Sequence, residues 1–490
     1  MKNLRFKHLV LLLYVIGESL HTSAQTLREQ YESFRKNAHA EYSDFRDKAN
    51  QEYAEFIKLA WNHYQTLPAI TKPKDEEVVP PIVCPENDKE EPIKNRELPH
   101  DKVIPAISPT PQPAPIAPIQ PQRQPTDESF SFTYCSTAMQ VRLNGKHKFK
   151  MNGCTEKQIA ETWTLLSQPI YNNAMIDCLD LRKRHRLNDW AYLCMLKEMS
   201  EAFLGKGSNE ATLLMAYIYC QSGYQMRLAQ AKEKLYMLYG SSYVVYGIPY
   251  IIIDGLNYYP LDCKENEVYV CHASYPKEQA LSLALTDSPL FAWHETPKRN
   301  LKAKGCAIET NVSVNKTLID FYASYPASEI NNNFMTRWAL YANAPISQKL
   351  KDELYPTLRK QLSGLSQKES VERLLNWVQT AFVYEYDDKV WGYDRAFFPD
   401  ETLYYPYCDC EDRSILFTRI VRDLLGLKCI LVYYPGHLAA AVRFSEAVKG
   451  DFIMLQGKHY TICDPTYINA PVGMTMPKMN NNKATVILLD

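Results

Sequence analysis

Tyr407-Cys408-Asp409-Cys410-Glu411-Asp412-Arg413-Ser414-Ile415-Leu416-Phe417 is the stretch on which the reading of this chain turns. It follows a loop over residues 392–407 and opens an amphipathic helix that ends at Leu425-Gly426. A cysteine in the first turn of a helix meets unpaired backbone N–H groups and the positive end of the helix dipole, both of which favour the thiolate. Cys410 has that place. Glu411 and Asp412 suit a helix start but oppose a thiolate, so an imidazole has to supply most of the activation. Tyr433-Tyr434-Pro435-Gly436-His437 sets a histidine at a strand start, and Tyr460-Thr461-Ile462-Cys463-Asp464-Pro465-Thr466 ends a later strand with an aspartate. From Cys410 to His437 and from His437 to Asp464 the step is 27 residues each time (437 − 410 and 464 − 437). In a Cys-His-Asp triad, His437 takes the thiol proton and Asp464 orients the ring and stabilises the imidazolium.

Cys-Glu-Asp-x-Ser-x-Leu-Phe from Cys410, the glycine at the helix end, and Tyr460-x-x-x-Asp464-Pro465 resemble the transglutaminase-like superfamily over about residues 365–475. The resemblance implies a papain-like α+β fold, with Cys410 as nucleophile, His437 as base and Asp464 as orienting acid. Cys408 stands where the family usually has glycine. The helix register favours Cys410 over Cys408, because Ser414 and Leu416 then fall on the small and apolar positions that pack such a helix. Tyr404, Tyr405 and Trp391 are candidate oxyanion donors. Zinc ligation by Cys408, Cys410, His437 and Cys463 is the competing reading; the tight Cys-x-Cys spacing and the lack of a second cysteine pair weigh against it. Neither a metal nor a cofactor is expected.

Around this region, residues 346–490 read as the catalytic domain. Ser347 to Leu362 reads as a helix broken or kinked at Pro356, and Glu369 to Phe382 as a second helix. Cys429 to Tyr434, His437 to Phe444, Asp451 to Leu455 and His459 to Cys463 read as strands. Helices followed by strands indicate an α+β class. Residues 271–345 read as a β-rich connection, strand-like near Asn311 to Tyr325. Residues 128–270 read as a further α+β domain, with helices at Gln158 to Leu166, Trp190 to Phe203 and Glu210 to Tyr219 and a strand at Tyr243 to Ile253. Gly255-Leu-Asn-Tyr258-x-x-x-Asp262 echoes Gly457-Lys-His-Tyr460-x-x-x-Asp464. A degenerate copy over residues 185–265 would put Asn209 in place of the nucleophile, Ser241 in place of the histidine, and keep Asp262.

Towards the N-terminus, residues 67–127 hold 15 of the 30 prolines and no glycine, the composition of a polyproline-II-like spacer. Residues 25–66 form a long-helix unit with an 11-residue repeat: Tyr31, Tyr42, Tyr53 and Phe34, Phe45, Phe56. That period keeps an apolar face nearly straight, for self-association or docking through residues 26–64, or for packing on the chain's own domain. Residues 1–24 read as a signal peptide, with Lys2, Arg5 and Lys7 before the apolar run Leu9 to Ile16 and a small-residue cleavage site at Thr22-Ser23-Ala24. The chain is thus expected to be exported, periplasmic or extracellular, with no membrane span. A formal net charge of −1 gives no broad field for nucleic acid. The odd count of 13 cysteines leaves at least one unpaired within the chain, and spacing assigns no pairs.

Together these features lead to an expected exported cysteine-dependent acyl-transfer enzyme. Its expected substrate is a peptide or protein, cut at a peptide or isopeptide bond by a peptidase or amidase. A crosslinking transamidase and a non-catalytic envelope scaffold are the alternatives.

Overall fold

The structure is a computed structural model that describes residue 33 and residues 45–73, 78–87, 94–107, 110–116 and 128–490. The signal peptide and most of the proposed 11-residue repeat lie outside them. The described chain is mixed α+β, organised around two antiparallel-rich sheets of six and seven strands.

The C-terminal sheet runs Arg96–Glu97, Asp451–Leu455, Lys458–Cys463, His437–Arg443, Lys428–Tyr434, Thr485–Leu488, Lys102–Ile104. Its central strands read as continuous apolar runs because both faces are covered. Cys429, Leu431, Tyr433, Leu438, Ala440 and Val442 join the core on one face, with helix Cys410–Leu425. Ile430, Val432, Tyr434, Ala439 and Ala441 join a second cluster with Leu98, Ile453 and Ile462. The helix starts at a reciprocal capping box between Asp409 and Asp412 and stops at Gly426, whose φ of 65° is the left-handed cap that glycine adopts without strain.

The N-terminal sheet runs Trp61–Gln65, Glu267–Cys271, Met226–Ala231, Lys234–Ser241, Leu256–Pro260, Ile251–Ile253. Helix Asn209–Gln221 leads into its strand Met226–Ala231, as Cys410–Leu425 leads into Lys428–Tyr434. The five strands from Glu267–Cys271 to Ile251–Ile253 repeat, in connection order and antiparallel sense, those from Thr485–Leu488 to Asp451–Leu455. Asp254-Gly255 and Gln456-Gly457 form matching positive-φ turns (51° and 79°; 49° and 73°).

Several sequence expectations need correction. The long helix ends at residue 59, and Trp61–Gln65 continues as a strand paired with Glu267–Cys271. Its tyrosine face packs on the chain's own core: Tyr53 is buried and stacks on Tyr275 at 4.3 Å, while Phe45 and Phe56 stay exposed. Where it is described, the proline-rich segment is no free spacer. Ile82–Val83, Arg96–Glu97 and Lys102–Ile104 pair in parallel with Tyr467–Ile468, Asp451–Phe452 and Thr485–Ile487. Residues 271–345 hold two helices, Lys316–Ala323 and Thr336–Asn343, besides short strands. The stretch read as one strand over 243–253 is two, Tyr243–Val245 and Ile251–Ile253, split at Gly247 (φ 74°). Helix Gln348–Leu362 runs unbroken through Pro356. None of the 13 cysteines is disulfide-bonded.

Candidate active site

Cys410 is the first residue of its helix. The cap residue Asp409 turns its carboxylate onto the same helix end, accepting from the N–H groups of Glu411 (3.0 Å) and Asp412 (3.4 Å). The positive pole that should favour a thiolate is thus shared with a buried carboxylate. Burial, then Asp409 and Glu411, push the Cys410 thiol well above its ordinary value, while a backbone hydrogen bond from Leu438 acts in the opposite direction.

His437 opens the adjacent strand, and Asp464 follows Lys458–Cys463 on its neighbour. His437 Nε2 and Asp464 Oδ2 are 2.8 Å apart, and both side chains are almost wholly buried. Asp464 Oδ1 accepts from the amides of Thr466 (2.8 Å) and Tyr467 (3.2 Å), so the turn before Pro465 fixes the carboxylate and leaves one oxygen for the ring. His437 Nδ1 makes no hydrogen bond among the described residues. Cys410 and His437 line one cavity of about 740 Å³, walled also by Trp338, Tyr386, Asp394 and Tyr433. His437 is therefore joined to Asp464 by a hydrogen bond and to Cys410 by a shared cavity, with the ring oriented through one nitrogen and the other uncommitted among the described residues.

Four side chains given no site role from sequence hold this arrangement. Ser414 Oγ donates to Leu438 O at 2.8 Å, tying the Cys410 helix to the residue after His437. Gln379 Nε2 donates to the carbonyls of Asp464, Tyr467 and Ala470 (3.0, 2.8 and 3.1 Å), and its Oε1 accepts from Asn469 N. Arg413, wholly buried, donates to Phe382 O at 2.8 Å and also reaches Gln379 O and Pro465 O. Trp338 Nε1 donates to Glu411 Oε2 at 2.6 Å. Ser414 was legible only as a small packing residue. Gln379 carried no signal beyond its place in an apolar helix.

Cys408 sits away from the cavity, buried in a two-residue strand with its thiol 3.9 Å from Val383 O. Cys463 directs its thiol to Thr461 O at 3.6 Å, so the four residues of the zinc reading do not converge. The three aromatic oxyanion candidates lie elsewhere: Trp391 and Tyr405 pack around Arg395, and Tyr404 packs on Tyr405. Asp387, Asp409 and Glu411 are the group with cation-holding geometry among the described residues, their oxygens within 4.8 Å of one another. Each already accepts from the protein: Asp387 from Arg395 N, Asp409 from its helix, Glu411 from Trp338. Burial, with Glu411 next, pushes Asp387 up to about 8.

The equivalent place in the N-terminal sheet corrects one expected correspondence. Asn209 is the first residue of its helix, as Cys410 is. Its Oδ1 accepts from Leu235 N at 2.9 Å, and its Nδ2 donates to Glu233 O. The second strand after that helix begins at Lys234, as the second strand after Cys410–Leu425 begins at His437, so Lys234 has the position of His437; Ser241 lies at that strand's far end. Asp262 follows Leu256–Pro260 and pairs with Lys197. A small cavity of about 40 Å³ is lined by Lys197, Lys234, Leu235 and Asp262, among others, and not by Asn209.

Comparison with protein-family models, curated proteins and solved structures finds no match to the chain. Among the described residues, no helix is long and apolar enough to cross a membrane.

Proposed function

We propose that the protein is an exported cysteine-dependent acyl-transfer enzyme with a papain-like, transglutaminase-like core, acting as a peptidase or amidase on peptide or isopeptide bonds. The observation that carries this reading is the buried His437–Asp464 pair at 2.8 Å, whose histidine lines the same cavity as Cys410.

In this reading His437 Nδ1 removes the Cys410 proton as Sγ attacks the substrate carbonyl carbon. The tetrahedral intermediate collapses, the amine leaves with the proton from His437, and a thioester remains on Cys410. His437 then takes a proton from water, hydroxide attacks the thioester, and the carboxylic acid leaves as the thiol is restored. Asp464 stabilises the imidazolium at each stage without being protonated. A thiol held high by burial and two carboxylates has little resting thiolate, so attack depends on simultaneous proton removal. An amine acceptor in place of water gives the transamidase alternative.

The matching connection order of the two sheets supports reading the N-terminal one as a degenerate copy with Asn209, Lys234 and Asp262 at the triad positions. An amide cannot serve as the nucleophile. The exposed Phe45, Phe56 and Leu59 leave a place for partner docking on the N-terminal helix. The testing experiment pairs the wild type with Cys410→Ala in a screen of peptide and isopeptide amides. Turnover confined to the wild type supports the reading. Equal turnover, or a trapped thioester on Cys408, contradicts it.

A further inference from the structure

The cavity that Cys410 lines is acidic. Asp387, Asp388, Asp394, Asp409 and Glu411 line it, against the single ammonium of Lys389. Lys389 is engaged by Glu385, 3.0 Å away. Lys72 pairs with Asp394 at 2.5 Å, and Arg337 Nη2 stands 3.9 Å from Asp394 and 4.0 Å from Glu411. Among the described residues, Asp387, Asp388 and Asp409 have no ion-pair partner. Yet Asp387 and Asp409 are buried, and an oxygen of each lies within 4.8 Å of the other and of one from Glu411. Buried carboxylates this close need a compensating cation or a proton. Burial, then Asp387 and Asp394, pushes the Asp409 carboxyl well up, so protons supply that compensation within the chain.

Two further features of the cavity point to a ligand. The His437 side chain is wholly buried and lines it, and His437 Nδ1 makes no hydrogen bond among the described residues. Trp338, Tyr386, Tyr393 and Tyr433 add aromatic surface to the acidic wall. Lys389 Nζ already lies 5.0 Å from the centroid of the Tyr386 ring, as an alkylammonium packs on an aromatic face.

We infer that the carboxylates beside Cys410 form a subsite for an organic cation, and that the substrate carries an ammonium or guanidinium group next to the bond attacked. The inference rests on the acyl-transfer reading for its substrate, whereas the subsite stands on the cavity alone. Two arguments choose the class. Asp387, Asp409 and Glu411 already accept from Arg395 N, Glu411 N and Trp338 Nε1, which leaves few oxygens for a hard divalent ion that takes about six to eight. Nor is the group an attacking amine. An amine attacks only when neutral, and these carboxylates hold it protonated. The cation is recognised and not consumed, which fits hydrolysis better than transamidation. Its presence also bears on the nucleophile. After burial, Asp409 and Glu411 are the charges that raise the Cys410 thiol. A cation among them offsets that effect, so a cationic substrate favours the thiolate that attacks it.

The test uses the full chain and reads Cys410, not turnover. Methanethiosulfonate reagents carrying an ammonium, a sulfonate or a neutral methyl group are compared at pH 7, and tandem mass spectrometry gives the rate at Cys410. The ammonium-to-sulfonate rate ratio is expected to exceed that of N-acetylcysteine about ten-fold, the scale of steering by a cleft lined with one sign of charge. Asp388→Asn should lower that excess, and Asp387→Asn with Asp388→Asn should remove most of it. N-acetyl-lysine amide should lower the ammonium-to-neutral ratio, and its uncharged analogue N-acetylnorleucine amide should not. A wild-type ratio equal to that of N-acetylcysteine overturns the inference, as does a lysine amide that competes no better than the norleucine amide. Suppression of the ratio by millimolar calcium but not by the lysine amide overturns it in favour of a metal ion. In His437→Ala the ratio should persist, because it reads the carboxylates, while slowing of every reagent there reads the triad. The two readings therefore fail separately.

Discussion

At Cys410 two influences oppose each other. The helix start and the Leu438 amide favour the thiolate, while burial, Asp409 and Glu411 disfavour it more strongly. Glu411→Gln removes one of the two charges and keeps an acceptor for Trp338 Nε1. It is expected to raise alkylation of Cys410 at pH 7 several-fold, by stopped-time mass spectrometry, because a like charge within a buried cluster shifts a pKa by about one unit. No change, or a fall, means that Glu411 acts on the thiol through Trp338 packing and not through its charge. Cys410, His437 and Asp464 were legible because each carries chemistry at an element boundary. The correspondence of Ser241 with His437 was not, because a Gly-Ser pair at a strand end looks, in sequence, like a Gly-His pair at a strand start.

At the scale of elements, the helices with a clear apolar period and flanking caps were read within a few residues: Glu156–Leu166, Asp189–Leu204, Gln367–Ala381 and Cys410–Leu425. Helix Pro169–Arg184 and the hairpin Met226–Ala231 with Lys234–Ser241 were not read. The first has a weak apolar face among charged residues, and the second carries Arg, Gln and Lys in strands that are stabilised by their partners. Two side-chain roles at this scale are testable. Gln379→Leu leaves the carbonyls of Asp464, Tyr467 and Ala470 without their donor, so it should cost about 2–4 kcal/mol in urea unfolding and loosen the Asp464 turn. A cost below about 0.5 kcal/mol would mean that water replaces the side chain without loss. Gly426→Ala places a Cβ on a left-handed cap at φ 65° and should cost about 1 kcal/mol by the same measurement.

At the scale of the whole molecule, residues 61–104 supply strands to both large sheets, and that was the least legible feature. Strands of two or three residues have no period to detect, and a proline-rich composition reads as a spacer whether or not it is laid along a sheet edge. A fragment starting at residue 128 loses Trp61–Gln65 and Lys102–Ile104, exposing the edges at Glu267–Cys271 and Thr485–Leu488. It should unfold at lower denaturant than the full chain and associate through those edges, measurable by sedimentation. Buried acids set the pH dependence. Burial lifts Asp400 to about 6 and Glu401 to about 7, and burial with Glu411 lifts Asp387 to about 8. Each folded value exceeds the unfolded value of about 4. The folded state then binds protons more tightly, so the stability they contribute is full below about pH 4 and is lost as pH rises through about 6 to 8. Asp387→Asn should flatten the upper part of that window and raise the melting temperature at pH 8; an unchanged slope would exclude Asp387 from it.

The most direct measurement of the account follows Cys410 alkylation by iodoacetamide from about pH 4 to 10 in the full chain, beside His437→Ala and Asp464→Ala. If His437 removes the thiol proton, the wild-type rate rises at a pH below the unperturbed thiol value of about 8.5, although its surroundings disfavour the thiolate. Loss of His437 should then move the rise above that value, and loss of Asp464 should move it part of the way. Identical profiles in all three proteins, rising at or above the ordinary thiol range, would contradict an assembled triad.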